Sequence, residues 1–204
     1  MKNCRYGVVF FGMGLTMARG RHFNSGALFS LATDLNEFTH FVVKPARGHG
    51  NVTGGDNVVS WTTGYPFGVN FNLGYPRFNP GEFTTVDTLS NGDADAAMFI
   101  SCDPASNFPK AAIEHMKRIP VISLDPKHTM TSSLAHVAFT TSTYGINTGG
   151  TVYRMDDVPI PLRPAFDSPF PGDEEILTAI KNRVVELTQD KRGVSNTGEK
   201  RKVA

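Results

Sequence analysis

Cysteine is scarce in this chain. Only Cys4 and Cys102 occur in 204 residues, far apart, which excludes a disulfide framework and the ligand spacings of zinc and iron–sulfur sites. Two free thiols in a reducing compartment follow, and any metal–thiolate bond must come from another chain or segment. Charge of one sign is missing too. The 20 Lys and Arg are balanced by 19 Asp and Glu, so neither nucleic acid nor an anionic membrane is indicated as the main partner. No apolar run approaches the roughly 20 residues of a membrane-spanning helix. Met1–Arg5 does not open a signal peptide, because Gly7-Val8-Val9-Phe10-Phe11 is short and runs into Gly12-Met13-Gly14 in place of a cleavage site. A cytoplasmic location is expected. Nor does a G-x-G-x-x-G run follow the first apolar segment, since Ala18, Arg19 and Gly20 break that spacing, which disfavours an ordinary nicotinamide site.

What is present alternates regularly. Tyr6–Phe11 is a β-branched and aromatic run opening into a glycine loop, and Ala27, Leu28, Leu31, Ala32 and Leu35 recur at helical spacing between Asn24 and Asn36. His40–Val43 supplies a second strand, ended by Pro45. This strand, helix, strand unit has the connection length of a parallel crossover. Between Asp56 and Gly81 the text becomes rich in Gly, Asn, Pro and aromatics, including Trp61, Tyr65, Phe67, Phe71, Tyr75 and Phe78. An ordered functional loop with short helical or strand pieces is expected there.

Alternation resumes with a helix near Thr84–Ser90, a strand at Asp95–Ser101, a helix from Pro109 to Met116, a strand at Val121–Leu124 and, after a Thr/Ser-rich turn, a short strand at Leu134–Thr140. Gly145–Arg163 reads as loop. Asp173 caps a last helix reaching about Thr188, with Ile176, Leu177, Ile180, Val184 and Leu187 as its apolar stripe. Such alternation predicts an α/β fold of Rossmann-like, doubly wound parallel sheets, with ligand at the carboxyl ends of the strands. The expected division is 1–47 as the closing portion of one Rossmann-like domain, 48–166 as a second, 167–188 as a carboxyl-terminal helix and 189–204 as a disordered tail.

Lys44–Gly55, K-P-A-R-G-H-G-N-V-T-G-G, sets Arg47, His49 and Asn51 among four glycines directly after a strand. Glycine serves there to turn the backbone tightly or to bring it close to a bound group. An exposed surface turn is the plain alternative. Three strand-end loops join it: Gly12-Met13-Gly14-Leu15-Thr16, Cys102-Asp103-Pro104-Ala105-Ser106 and Asp125-Pro126-Lys127-His128-Thr129. Glycine at a strand-to-helix turn lets N–H groups approach a phosphate, and a strand-end acid can accept from ribose or guanine. Asp103 and Asp125 could equally be helix caps.

Lys44–Gly55 resembles the P-x-R-G-x-x-N-V-x-G segment that borders the metal in the molybdopterin-dependent formate dehydrogenase family. Further blocks resemble the catalytic B subunits of formylmethanofuran dehydrogenases: F-F-G-M-G-L-T-M-A-R-G-R-H-F-N, W-T-T-G-Y-P-F, L-G-Y-P-R-F-N-P-G-E and G-G-T-V-Y-R-M-D-D-V-P-I-P-L-R. The likeness spans Tyr6 to Arg163 and covers the carboxyl-terminal half of that subunit. It implies an archaeal, multisubunit oxidoreductase of methanogenesis that reduces carbon dioxide to formate at tungsten or molybdenum held between two molybdopterin guanine dinucleotides. A [4Fe-4S] cluster would belong to the amino-terminal part or to partner subunits.

The implied partners are an amidohydrolase-like formyl-condensing subunit, a small pterin-binding subunit and a polyferredoxin, besides carbon dioxide or formate. By the same resemblance Arg47 would orient the substrate, and Gly48, His49, Asn51 and Gly54 would line one pterin. Cys102, Asp103, Ser106, Asp125, His128 and Thr129 would surround a guanine nucleotide. Gly12, Gly14 and Thr16 would contact the second dinucleotide. A guanidinium suits the Arg47 role, because its parallel N–H donors match a carboxylate and stabilise charge developing on its oxygens.

The chain departs from the family in three respects. Neither cysteine lies in the context of the metal-ligating or cluster cysteines, so the chain alone is expected to be inactive. Ile146-Asn147-Thr148-Gly149-Gly150 stands where an acidic residue is expected before the glycine, and His136 stands where aspartate is expected. A competing expectation is a non-redox scaffold subunit of a methylotroph formyltransferase/hydrolase complex.

Overall fold

The computed structural model describes residues 1–199, and residues 190–199 by their backbone alone. Its elements in chain order begin with β1 (Tyr6–Phe11), α1 (Gly14–Met17), α2 (Arg21–Asn36), β2 (His40–Pro45), α3 (Val52–Thr63), β3 (Val69–Asn70) and β4 (Arg77–Phe78). There follow α4 (Thr85–Asn91), β5 (Ala97–Ile100), α5 (Pro104–Asn107), α6 (Lys110–Met116), β6 (Val121–Asp125), α7 (Met130–Leu134) and β7 (Val137–Thr140). The chain continues through β8 (Gly150–Tyr153) and β9 (Pro159–Leu162) into α8 (Asp173–Glu199). Two units divide it: Met1–Phe78 with Thr151–Pro161, and Asn79–Gly150 with the chain from Leu162 onward.

In the first unit β1 and β2 pair in parallel, Tyr6 opposite His40 through Phe11 opposite Pro45. α2 makes the crossover. Its Ala32 and Leu35 close with Phe41 into a small core, against which Val9 and Val43 pack. Gly7 is required by this packing, because a Cβ there would lie 2.0 Å from the Phe41 ring. Asn36 fastens the turn between α2 and β2, accepting from Phe41 N–H at 3.0 Å and donating to Phe41 O at 2.6 Å.

The sequence reads an ordered loop with short helical or strand pieces from Asp56 to Gly81; the structure has there a continuous three-turn helix, α3, which begins earlier, at Val52, and runs to Thr63. Its glycines and β-branched residues are weak helix formers. The Thr62 and Thr63 hydroxyls bond back to Val58 O at 2.6 Å and Val59 O at 2.7 Å. Beyond it the aromatic segment is ordered by a stack. Tyr65 lies on Phe78 with centroids 5.3 Å apart, and Phe67 meets the same ring edge-on at 5.5 Å. Phe78 lies on β4, which pairs antiparallel with β3 through Val69. The segment 48–78 thus stays with the first unit, where the sequence reading had placed a boundary after residue 47.

The second unit is built on the parallel sheet β5-β6-β7. Leu89, Phe99, Ala112, Met116, Ile119 and Val121 form its core, brought together from α4, β5, α6 and β6. α4 starts under a Thr84 cap that accepts from Asp87 N–H at 3.3 Å. The Thr/Ser-rich turn folds into α7, so β7 begins at Val137 and not at Leu134. His136, where an aspartate was expected, accepts from Val121 N–H through Nδ1 at 3.2 Å and donates its backbone N–H to Val121 O at 2.8 Å. The stretch read as loop from Gly145 to Arg163 contains the paired strands β8 and β9.

α8 continues past Thr188 to Glu199. Of its stripe, Ile176 is buried while Val184 and Leu187 are exposed. The expected disorder of 189–204 falls partly on residues 200–204, outside the described residues. Among the described residues no helix is long and apolar enough to cross a membrane.

Met116 is fully buried at the centre of the second core. Met116→Ala is expected to cost roughly 2–5 kcal/mol, read as a lower urea midpoint in equilibrium unfolding.

Candidate functional site

The site residues expected from the sequence fall into two groups, one in each unit. In the first, the parallel pairing of β1 and β2 sets their carboxyl ends side by side. Ala46 N–H donates to Phe11 O at 2.6 Å, and the Cβ position of Gly12 lies 4.0 Å from Ala46 O. The Gly12–Thr16 turn and the Ala46–Gly54 loop are therefore neighbours. Open space surrounds Gly14 and Gly48, whose Cβ positions meet nothing within 4 Å. The Thr16 hydroxyl donates to Met13 O of its own exposed turn at 3.1 Å.

Among the described residues, no protein acceptor takes the backbone N–H of any residue from Arg47 to Gly54. A loop and the first turn of a helix together present these donors, an arrangement suited to anionic or carbonyl oxygens. Arg47 is partly exposed and ion-paired to Asp56 in the second turn of α3. His49 is exposed and left-handed, with φ of 67°.

Asn51 caps α3 in the left-handed conformation, φ 55° and ψ 31°. Its carboxamide bonds the edge of β8 in both directions. Oδ1 accepts from Tyr153 N–H at 2.8 Å, and Nδ2 donates to Thr151 O at 3.3 Å. Gly54 makes room for it, since a Cβ there would lie 2.3 Å from Asn51 Oδ1. The space that Gly54 leaves is thus filled by Asn51. One turn further along, Asn57 Nδ2 donates to Asp157 Oδ1 at 3.0 Å, fastening α3 to the turn after β8. In that turn Arg154 pairs with Asp156, whose carboxyl the guanidinium lowers to about 2.

The second group lies at the carboxyl ends of β5 and β6. Asp103 Oδ1 accepts from the N–H of Thr131 at 2.8 Å and from its hydroxyl at 2.7 Å. Thr131 Oγ1 in turn accepts from Ala105 N–H at 3.0 Å. Partial burial raises the Asp103 carboxyl, but the bonds from Thr131 and Ser106 outweigh it and the net shift is downward. Ser106 donates to Asp103 O at 2.8 Å. Thr129 caps α7, accepting from Ser132 N–H at 3.0 Å while Ser132 Oγ accepts from Thr129 N–H at 2.7 Å. Asp125 is buried and accepts from Lys127 N–H at 3.0 Å.

Cys102 and His128 keep exposed surface. Burial of the Cys102 sulfur, with the Asp125 and Asp103 carboxylates nearby, pushes its thiol above the ordinary 9.0, so it is a protonated thiol at neutral pH. Among the described residues no cluster of three His, Cys, Asp or Glu side chains is placed to hold a metal ion.

Sequence reasoning missed Asp56, although an acid nine residues after Arg47 was visible. It missed Thr131 inside a run taken as a turn. It also missed a cleft of about 670 Å³ where Asn147, Thr148 and Gly149 face Gly172, Asp173 and Glu174; Asp173 had been read as a helix start only.

Asn51→Ala removes the bonds to Tyr153 N–H and Thr151 O and should cost about 0.5–1.5 kcal/mol, with faster amide exchange at Tyr153 as the local readout. For Asp103, the folded pKa lies below its ordinary 3.8. Its stabilising contribution is therefore complete above 3.8 and is lost as pH falls through the lower, folded value. Asp103→Asn should flatten that acid limb of the stability profile measured by thermal unfolding.

No protein-family model matches the chain. The B subunit of tungsten-containing formylmethanofuran dehydrogenase 2 from Methanocaldococcus jannaschii is 46% identical over 188 residues, covering 91% of this chain and 43% of that protein. The protein of the same name from Methanococcus maripaludis is 40% identical over the same shares. A chain of the formyltransferase/hydrolase complex of Methylorubrum extorquens, solved with methylofuran, has the same fold with a TM-score of 0.71, at 22% identity, over 92% of this chain and 51% of that one. The chain spans less than half the length of the curated relatives it matches. Over 91% of its length, this chain is a homologue of the B subunit of tungsten-containing formylmethanofuran dehydrogenase.

Proposed function

We propose that the chain is part of the catalytic subunit of a formylmethanofuran dehydrogenase and forms one wall of the centre at which carbon dioxide is reduced to formate. The observation that carries this is the run of N–H groups from Arg47 to Gly54 without protein acceptors, beside the Arg47 guanidinium, in a chain 46% identical to a tungsten enzyme. A pterin rim is rich in carbonyl and phosphate oxygens, and an array of backbone donors at a helix start matches it.

On this reading Gly48 and His49 hold the rim through their N–H groups. Asn51 and Gly54 hold the loop itself in shape. Gly12, Gly14 and Thr16, on the neighbouring strand end, approach a second dinucleotide. In the other unit Cys102, Asp103, Ser106, Asp125, His128 and Thr129 build the strand ends on which a guanine nucleotide rests. The bound metal, tungsten or molybdenum with two pterin dinucleotides, supplies the two-electron chemistry. Arg47 binds and orients the carboxylate oxygens. Its ion pair with Asp56 is partly exposed, and pairs of that kind contribute about 0–1 kcal/mol, so a substrate carboxylate can compete for the guanidinium.

The finer architecture is part of the same proposal: Rossmann-like, doubly wound cofactor domains in a complex with a formyl-condensing subunit, a small pterin-binding subunit and a polyferredoxin. A second reading, a non-redox scaffold, has one observation in its favour: the fold likeness to the formyltransferase/hydrolase complex. Metal and pterin analysis of the purified native complex separates the two. Tungsten or molybdenum with pterin is expected, and their absence would support the scaffold.

Arg47→Lys keeps the charge but loses the forked donor geometry. A fall of about tenfold to a thousandfold in carbon dioxide or formate turnover is expected, with metal and pterin content unchanged in the assembled enzyme. Wild-type turnover in a cofactor-replete Arg47→Lys complex would remove Arg47 from the site.

A further inference from the structure

The side chain of Asp56 makes one contact, and that contact is with Arg47. From the second turn of α3 its Oδ2 accepts from the Nη1 arm of the guanidinium. Among the described residues, Asp56 Oδ1 has no hydrogen-bond partner, and neither do Nε and Nη2 of Arg47. The acid is the better anchored of the two. In the same helix Asn57 is bonded to Asp157, and Asn51 at its start to the β8 edge. Arg47 stands instead in the loop whose N–H groups, among the described residues, find no protein acceptor.

Charge decides what such a pair can hold. A lone guanidinium carries a permanent positive charge and attracts any small carboxylate. Paired with Asp56, it presents N–H donors with no net charge behind them. Carbon dioxide, itself neutral, meets those donors without opposition. Formate meets a second carboxylate already on the same fork, and two carboxylates at one site repel. A repulsive element against one ligand is a means of discriminating it from another. Exposure bounds the effect, since the side chains of Arg47 and Asp56 are 40% and 26% exposed. For screened pairs of that kind the competition corresponds to at most about a fivefold change in affinity.

We propose that Asp56 is a resident competitor for the Arg47 guanidinium, weakening its hold on formate relative to carbon dioxide and so promoting release of the product. Asp56 acts through Arg47, as a positioning residue. The proposal rests on the reading of Arg47 as the arginine that binds the substrate oxygens. Any charge that the bound cofactor brings is common to wild type and variants, so a comparison between them isolates the carboxylate.

The test uses the assembled native complex carrying Asp56→Asn or, separately, Asp56→Ala, whose side chain also suits a helix interior. Formate binding is read by equilibrium dialysis of radiolabelled formate against the reduced complex without an electron acceptor, with affinities taken per metal-bearing complex. Both variants should bind formate about two- to fivefold more tightly than wild type. Product inhibition of carbon dioxide reduction by formate should sharpen by the same factor. Asp56→Glu keeps the charge and should retain the wild-type affinity. Unchanged or weaker formate binding in the two neutral variants, or equal tightening in Asp56→Glu, would overturn the proposal. Arg47→Lys separates that failure from failure of the reading beneath it. Where Arg47→Lys weakens formate binding and the neutral Asp56 variants do not tighten it, the Asp56 proposal alone falls. Where Arg47→Lys leaves formate binding at its wild-type value, Arg47 is not the seat of the carboxylate and both fall.

Discussion

The carboxamide of Asn51 is the constraint on which the first unit depends. Its two hydrogen bonds to the β8 edge hold the start of α3 against a strand from the far part of the sequence. Those bonds fix the left-handed backbone of Asn51, and a left-handed residue between a strand and a helix sets the direction in which α3 leaves. The neighbouring N–H groups from Arg47 onward consequently point away from the protein's own acceptors. Gly54 belongs to the same device, because only a residue without Cβ leaves room for the carboxamide. Removing either disturbs a loop and a helix end together.

Asp103 plays the corresponding part in the second unit. Its carboxylate joins the loop after β5 to the start of α7 through Thr131, which is fully buried. A carboxylate that accepts two such bonds is an interior brace, and its lowered pKa reports that bonding. Ser106 and Thr129 are likewise committed to main-chain partners. The strand ends are thus stiffened from within, while Cys102 and His128 keep exposed surface at that edge. Rigid loops at the carboxyl ends of parallel strands lose little conformational freedom on binding.

The α/β character, the parallel crossover of β1 and β2 and the succession from β5 to β7 were legible, because apolar periodicity and Pro or Gly punctuation carry that information locally. α3 was not. Its Val, Thr and Gly content opposes helix formation, and what holds it, the bonds of Asn51 to β8 and of Asn57 to Asp157, lies about a hundred residues away in sequence. The roles of Asn51 and Gly54 were hidden for the same reason: a glycine-rich loop reads as space for a ligand until the side chain filling that space is located. Arg47 was singled out as a loop residue, and the structure keeps it in one, yet its partner Asp56 sits on the helix that the sequence did not disclose.

The separation of Asn51 from Tyr153 has a kinetic consequence. Bringing together residues 102 positions apart closes a long loop, whose entropic cost must be met before the contact rewards it. During synthesis the Arg47–Gly54 segment leaves the ribosome long before its anchor does. Its donors acquire their final directions only when the β8–β9 hairpin returns, so the loop is among the last parts of the unit to be shaped. A chain interrupted anywhere before Thr151 would lack both bonds that anchor Asn51 to β8.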